Sequence, residues 1–182
     1  MKYFLIICAF LLMLISCANP EARKPLVRKT SSFMSESIER NKLLYKVEEE
    51  ILMKKMESDT LHQYINSESG FWYYYDTELP AETYTPKTGD EVFYSHEISS
   101  LDDVVIYSKD AMGTKSFLID KEELITGLQD GFKIMKEGEV ITFLFPSHKA
   151  FGYSGYDKIN PSQPLIYKVQ LLKINKLSEN EN

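Results

Sequence analysis

Side chains that could support metal or acid–base chemistry are few in this sequence, and their spacing does not suggest a shared site. The three histidines are His62, His96 and His148. They fall in a predicted helix, a strand and a loop, without the short spacing that metal ligands show. Ordinary core or surface roles explain each of them. We therefore predict no metal site and no cofactor.

An apolar loop is the more informative feature of the sequence. Residues 145–155 read FPSHKAFGYSG, and Tyr156 follows directly. Phe151, Tyr153 and Tyr156 are separated only by glycine and serine. A surface loop of such apolar content usually lines a binding surface. The loop is thus the first candidate for a functional element.

Cysteine is the other reactive residue type, and it occurs only near the N-terminus. A basic start is followed by an apolar run that closes with LISC at Cys17. The run is too short to span a membrane comfortably, which favours a signal peptide over residues 1–16. The closing pattern resembles a bacterial lipobox, so we expect Cys17 to carry a lipid. The alternative is an ordinary cleaved signal with an incidental cysteine. Because Cys8 lies in the removed part, no disulfide or redox site is expected in the folded chain.

The charge composition of the chain argues against one class of partner, nucleic acids. The chain of 182 residues has a formal net charge of −6 and no basic block. Nucleic-acid binding depends on neutralising phosphates with Lys and Arg, so no nucleic-acid partner is predicted. The length suits one modest domain with accessory segments.

The N-terminal third is predicted to be a tether followed by a helical segment. Residues 17–34 contain prolines and dispersed charge, which is typical of a flexible tether. Residues 35–66 are predicted to be helical, with a helix to Met56 that resumes after a break. The apolar stripe of this helix consists of Leu44, Val47 and Ile51. We expect this stripe to pack on its own domain or on a second copy of the chain, the alternative being a dedicated partner.

The remainder, residues 70–177, is rich in β patterns, and residues 178–182 are predicted to be a disordered tail. Two strands alternate clearly: Val92, Tyr94, His96 and Ile98 share one face, as do Tyr167, Val169 and Leu171. Between them, Asp120 and Glu123 have the spacing of a capping box, which predicts a helix beginning at that point.

Four segments together resemble a known family. They read GDEVFYSHEI, VVIYS, EELITGLQDGFKIMKEGEVITFLFPSHKAFGYSG and INPSQPLIYKVQLLKI. In order and spacing they resemble an FKBP-type peptidyl-prolyl isomerase domain over about residues 70–175. With the lipobox and the long helix, the chain is similar to the FKBP-type lipoproteins of gliding motility. This resemblance implies an α+β fold. A bent antiparallel sheet wraps around a short helix, next to an apolar cleft, and a long N-terminal helix precedes it.

The resemblance also implies which residues form the proline cleft. Catalytic positions would be His96, Tyr107, Phe151 and Tyr167. Substrate-binding positions would be Ile106, Phe117, Leu124, Ile125, Leu128 and Ile159. Well-known members carry tyrosine, aspartate, tryptophan and tyrosine where this chain has His96, Tyr107, Leu128 and Phe151. The changes remove polar or aromatic groups, so we expect a shallow, mostly apolar pocket, poor macrolide binding and an activity that could be weak.

Two functions follow from the resemblance. The first is a lipid-anchored isomerase of the bacterial cell envelope, facing the periplasm in the inner or the outer membrane. It would act on proline-containing exported polypeptides, including components of a gliding or secretion apparatus. The second is an FKBP-fold scaffold that binds a partner through the cleft or through the 35–66 helix, which could also form a homodimer.

Overall fold

The computed structural model describes residues 30–80 and 84–177. The chain divides into two compact units, Met1–Ser37 and Ile38–Asn182. Every contact described below lies within the second unit. Among the described residues, no helix is both long enough and apolar enough to cross a membrane.

Several N- and C-terminal features predicted from the sequence lie outside the described residues. They are the signal peptide, Cys17, most of the tether and the tail 178–182. Their assignment rests on sequence alone.

Seven strands form one antiparallel sheet within the described part of the chain: β1 (Ile65–Asn66), β2 (Trp72–Thr77), β3 (Glu91–Ser99), β4 (Val105–Tyr107), β5 (Lys115–Leu118), β6 (Val140–Phe145) and β7 (Leu165–Asn175). The helical elements are α1 (Thr30–Ser58), α2 (Lys109–Met112), α3 (Thr126–Phe132) and a 3-10 helix (Ser147–Lys149). The strand order is β1-β2-β6-β7-β3-β4, and β5 pairs with β3. This architecture confirms the α+β prediction.

Strand β3 gives the sheet its bend. One edge pairs with β7, while β5 and β4 share the other edge. A register shift between Phe93 and Tyr94 marks a bulge, which bends a strand and increases its twist. As predicted, Val92, Tyr94, His96 and Ile98 are all buried. The inner face of β3 is therefore the face that carries the candidate site.

Helix α3 packs tightly on this face. A Cβ at Gly127 would lie 2.7 Å from Cδ1 of Phe145 and 2.9 Å from the carbonyl oxygen of Lys149. Only glycine permits that approach. Leu128 and Phe132 on the same helix are buried in the core. Burial of each such side chain contributes roughly 1.5–3 kcal/mol, which fastens the short helix to the sheet.

The capping box predicted at Asp120 is wrong, because α3 begins six residues later at Thr126. Asp120 has a positive φ of 57°. Its carboxylate accepts hydrogen bonds from Thr88 Oγ1 at 2.7 Å and lies 2.8 Å from Lys133 Nζ. These partners come from distant segments, so the carboxylate is not free to cap a helix.

Helix α1 starts earlier and ends earlier than the predicted 35–66 segment. It runs from Thr30 to Ser58, and the residues from Asp59 to Tyr64 are not helical. Asp59 accepts hydrogen bonds from the Leu61 amide at 3.0 Å and from the Tyr64 hydroxyl at 2.8 Å. This local bonding replaces helical bonding, as short acidic side chains commonly do in turns.

The apolar stripe of α1 does not pack on the chain's own domain. Leu44, Val47 and Ile51 are 40%, 53% and 46% exposed. The neighbouring face carries the contact instead, since Glu48 is 5% and Leu52 is 0% exposed. Packing of the stripe on its own domain is therefore wrong, and a second copy or another partner stays a prediction.

Candidate functional site

An apolar cleft of about 470 Å³ lies between α3, the inner face of the sheet and the 151–157 loop. The residues that line it are Tyr94, His96, Ile98, Tyr107, Met112, Lys115, Leu124, Ile125, Leu128, Phe151, Tyr156, Asp157 and Tyr167. Its charged side chains, Lys115 and Asp157, are exposed to solvent. The charge is thus confined to the solvent-exposed part of the lining, and the rest offers mostly carbon.

Seven of the ten residues predicted for the cleft do line it together. They are His96, Tyr107, Leu124, Ile125, Leu128, Phe151 and Tyr167. Ile106, Phe117 and Ile159 do not. Phe117 and Ile159 belong to the buried core, and Ile106 packs against that core. Their roles in binding would be indirect, through support of the wall.

Several lining residues were not predicted as site residues. Tyr94 and Ile98 flank His96 at two-residue spacing, so the alternation that placed His96 could have found them. Tyr156 belongs to the loop of residues 145–156, the aromatic loop, whose apolar content predicts a binding surface. Met112 ends the four-residue helix α2, whose signals in the sequence are the N-cap Ser108 and the C-cap Gly113.

His96 supplies a neutral imidazole to the cleft. Its side chain is buried, and its Nδ1 has no hydrogen-bond partner in the part of the chain that the structure describes. Burial, with a smaller effect of nearby Lys115, lowers the pKa of His96 to about 4. The ring therefore carries no charge near neutral pH, in keeping with its apolar surroundings.

Tyr167 is a further aromatic surface of the cleft. It is 1% exposed, and its ring lies parallel to that of His96 with the centroids 5.9 Å apart. Burial raises the pKa of Tyr167 well above its usual range, so the hydroxyl stays protonated. The strand register pairs Tyr167 with Ile98 and with Phe143, which fixes its position from both sides.

The aromatic loop contributes two aromatic rings to the lining of the cleft. Phe151 stacks on Tyr156 with the ring centroids 5.3 Å apart, and both line the cleft. Tyr153 is 84% exposed and does not. A Cβ at Gly155 would lie 2.4 Å from the Ile159 carbonyl oxygen, so the loop can double back only with glycine there. The tight loop directs Phe151 and Tyr156 to the same side.

Tyr107 joins two parts of the rim. Its hydroxyl donates to Asp157 at 2.5 Å and accepts from the Lys158 amide at 3.3 Å. The bond to the Asp157 carboxylate raises the pKa of Tyr107. Tyr107 therefore ties β4 to the loop, rather than presenting a free hydroxyl to the cleft.

A wider groove continues from the cleft. It shares Leu124, Ile125, Phe151 and Tyr156 with the cleft and extends along residues 120–123 and Gln129. An extended polypeptide whose central residue enters the cleft would find room here for its flanking residues.

The family comparison agrees with this geometry. Residues 82–172, half of the chain, match the model of the FKBP-type peptidyl-prolyl cis-trans isomerase family. A probable FKBP-type isomerase, FkpA, of Neisseria meningitidis is 33% identical over 90 residues, which cover 49% of this chain. The chain spans only 33% of that relative's length.

Two solved structures share the fold. The isomerase from Pseudomonas syringae pv. tomato has a TM-score of 0.57 and 20% identity, covering 74% of this chain and 96% of its own. FkpA from Escherichia coli has a TM-score of 0.57 and 19% identity, covering 96% of this chain and 83% of its own. Together with the family match, these findings show that the chain belongs to the FKBP-type peptidyl-prolyl cis-trans isomerase family.

Proposed function

We propose that this protein catalyses cis–trans isomerisation of X-Pro peptide bonds in polypeptides that enter the cleft. The observation that carries the proposal is the composition of the cleft. Aromatic and aliphatic side chains converge there from β3, β7, α3 and the aromatic loop, with the charged groups exposed to solvent. Such a cleft accepts a proline ring and excludes water from the bond next to it.

An apolar cleft can lower the barrier without a nucleophile or a base. Rotation about the bond must overcome about 18–20 kcal/mol of amide resonance. The planar amide is polar, and the twisted one has lost that resonance and is less polar. Transfer into an apolar site therefore disfavours the ground state more than the transition state, which is the difference that accelerates a reaction.

The residues divide the work between shape and polarity. Phe151 and Tyr167 would enclose the proline ring, and Leu128 would lie beneath it. His96 lines the cleft with a ring that is uncharged near neutral pH, so it would contact the rotating bond without bringing a charge into the site.

For the cellular setting we propose the location indicated by the sequence. Cys17 would carry the lipid that holds the protein on a membrane of the bacterial envelope, with the domain in the periplasm. The substrates would be exported polypeptides with exposed X-Pro bonds, including parts of a gliding or secretion apparatus. Support comes from the lipobox pattern and the resemblance to gliding-motility lipoproteins.

A second candidate function is partner binding, and the stripe on α1 favours it. Leu44, Val47 and Ile51 leave an apolar face open on a long helix. A second copy of the chain or a component of an apparatus could cover this face. This function would not require an active cleft.

An isomerisation assay separates the two candidates. The full-length protein in mild detergent is tested on short X-Pro peptides with X varied, beside Phe151→Ala and Tyr167→Ala. Tyr153→Ala is the matched control, because it removes an exposed aromatic from the same loop. We expect acceleration by the parent and the control, and a large loss in both cleft variants. A folded parent that accelerates no peptide would overturn the isomerase proposal and leave partner binding.

A further inference from the structure

A buried carboxylate connects α1 to the start of the aromatic loop. Glu48 is 5% exposed, although its neighbours Glu49 and Glu50 face solvent. One of its oxygens accepts from the backbone amide of Ser147 at 2.8 Å, and the other accepts from the Ser147 hydroxyl at 2.7 Å. Hydrogen bonds to an ionised group are stronger than neutral ones, and a buried carboxylate needs them. The pair thus joins two segments 99 residues apart.

Ser147 in turn holds the backbone on both sides of Phe151. Its carbonyl oxygen accepts from the Ala150 amide at 2.9 Å and from the Gly152 amide at 2.8 Å. Phe151 lies between those two amides. The position of this cleft wall therefore depends directly on where Ser147 is held.

The same short 3-10 helix is also fastened to α3. Lys149 Nζ lies 3.2 Å from the Asp130 carboxylate, and the Lys149 carbonyl packs against Gly127. On the α1 side, the rings of Tyr45 and His148 are 4.5 Å apart. The base of the aromatic loop is thus clamped between the long helix and the helix of the cleft.

We propose that Glu48 is a positioning residue for the isomerase site, acting through Ser147 to hold Phe151 against the cleft. This inference rests on the isomerase function proposed above. It makes α1 part of the catalytic unit, although α1 lies outside the residues 82–172 that match the family. A change in α1 that displaces Glu48 would then alter the position of Phe151 in the cleft.

The test compares Glu48→Ala with Glu48→Gln and Glu49→Ala in the full-length protein. Glu49→Ala is the matched control, since it removes the same charge from the same helix at an exposed position. Alanine and glutamine both favour helix, so α1 itself is not weakened. Glutamine keeps one acceptor for the Ser147 amide, and its amide group can donate to the Ser147 hydroxyl. It should therefore rescue most of the effect.

Two measurements are made at a temperature where all variants are fully folded. The first is kcat and KM on X-Pro peptides. We expect kcat/KM to fall about tenfold in Glu48→Ala, because misplacing a group by about 1 Å can cost up to a hundredfold. Glu48→Gln should stay within about threefold of the parent and Glu49→Ala within about twofold.

The second measurement is amide hydrogen exchange at Gly152, compared with Val169 in the centre of the sheet. Local loosening in Glu48→Ala should speed exchange at Gly152 by about tenfold or more and leave Val169 unchanged. A purely stabilising role would instead speed both amides alike and leave kcat/KM of the folded protein at the parent value. Either that result or parent-like behaviour at both amides and in kcat/KM would overturn the proposal.

Two further results keep the test decisive. If Glu48→Ala does not fold, Ser147→Ala takes its place, because it removes one of the two bonds and keeps the backbone one; its kcat/KM should fall about threefold. If the parent itself accelerates no peptide, the isomerase function fails. Selective exchange at Gly152 would then still support positioning by Glu48, and unchanged exchange there would overturn it.

Discussion

Two clusters in this protein contain histidine and tyrosine side chains, and their hydrogen bonding differs. The outer cluster consists of Asp59, His62, Tyr64 and Tyr74. In it, His62 Nδ1 lies 2.8 Å from the Asp59 carboxylate, which also accepts a hydrogen bond from the Tyr64 hydroxyl at 2.8 Å. The ring of His62 stacks on Tyr74 with the centroids 4.0 Å apart. Here His62 Nδ1 and the Tyr64 hydroxyl share one partner, the Asp59 carboxylate.

In the cleft cluster of Tyr94, His96 and Tyr167, the ring of His96 stacks on Tyr167 and is tilted against Tyr94, but His96 Nδ1 finds no partner among the described residues. The outer cluster follows directly on α1 and fixes its end beside β2. In the cleft cluster, the hydrogen-bonding capacity of His96 Nδ1 is not satisfied by the described residues around it. The comparison teaches that hydrogen-bond satisfaction, rather than residue type, separates a structural cluster from a candidate binding site.

The largest expected effect comes from changing the polarity of the cleft. Phe151→Asp should lower kcat/KM for X-Pro peptides by about a hundredfold or more, because a carboxylate keeps water in the site and stabilises the planar amide. Phe151→Leu should stay within about fivefold, since it keeps the wall apolar. Phe151 is only partly buried, so both proteins should fold, which circular dichroism would check. Equal losses in the two variants would argue for a specific aromatic contact instead of apolarity.

The second effect is a dependence of stability on pH that comes from His96. Its pKa is about 4 in the folded protein and near 6.5 when unfolded. The unfolded chain therefore binds this proton first, and the free energy of unfolding should fall as the pH drops from about 6.5 to 4, by on the order of 3 kcal/mol. Above pH 6.5 the contribution is fully present.

Urea denaturation at several pH values measures this effect, with His96→Phe as the comparison. Burial also lowers the pKa of His148, which acts in the same direction, so the parent and the variant share that part. The variant should show a clearly shallower slope between pH 6.5 and 4. Identical slopes would mean that His96 is not held neutral.

A smaller effect is expected from the outer cluster, and on stability alone. Tyr64→Phe removes the hydroxyl that donates to Asp59 and should cost about 0.5–1.5 kcal/mol of unfolding free energy. Its kcat/KM should remain within about twofold of the parent, because no residue of the outer cluster lines the cleft. Chemical denaturation and the peptide assay test the two halves of this statement. A strong loss of activity in the fully folded variant would remove the distinction between the clusters.

The smallest effect is expected at the rim. Tyr107→Phe loses the bonds to Asp157 and to the Lys158 amide but keeps the ring. Because such exposed contacts contribute little, kcat/KM should fall by about fivefold at most. The peptide assay measures this, with the ring-deleting Tyr107→Ala as its partner. A collapse of activity in Tyr107→Phe would show that the hydroxyl acts on the substrate itself.

The features of the fold that could be predicted from sequence were those set by local alternation. The two-residue period of β3 and β7 placed His96 and Tyr167 on the inner face correctly. The capping box failed because the partners of Asp120, Thr88 and Lys133, come from segments that local spacing cannot show.

The long helix shows a second limit. Its apolar stripe was expected to be buried, yet the buried positions are Glu48 and Leu52. A glutamate in an acidic run looks like a surface residue, and its two hydrogen bonds to the distant Ser147 make its burial favourable. At the site, the motif resemblance identified most of the wall residues, whereas Met112 depends on a four-residue helix marked only by its caps, Ser108 and Gly113.

The most direct test of the account is an NMR titration of the full-length protein with a short X-Pro peptide. Exchange between the cis and trans signals of the peptide reports catalysis, and amide shifts of the protein report where the peptide binds. We expect faster cis–trans exchange together with shifts confined to the cleft, at His96, Phe151 and Tyr167, with the outer cluster unaffected. Unchanged exchange, or shifts centred on His62 and Tyr74, would contradict the assignment of the cleft as the isomerase site.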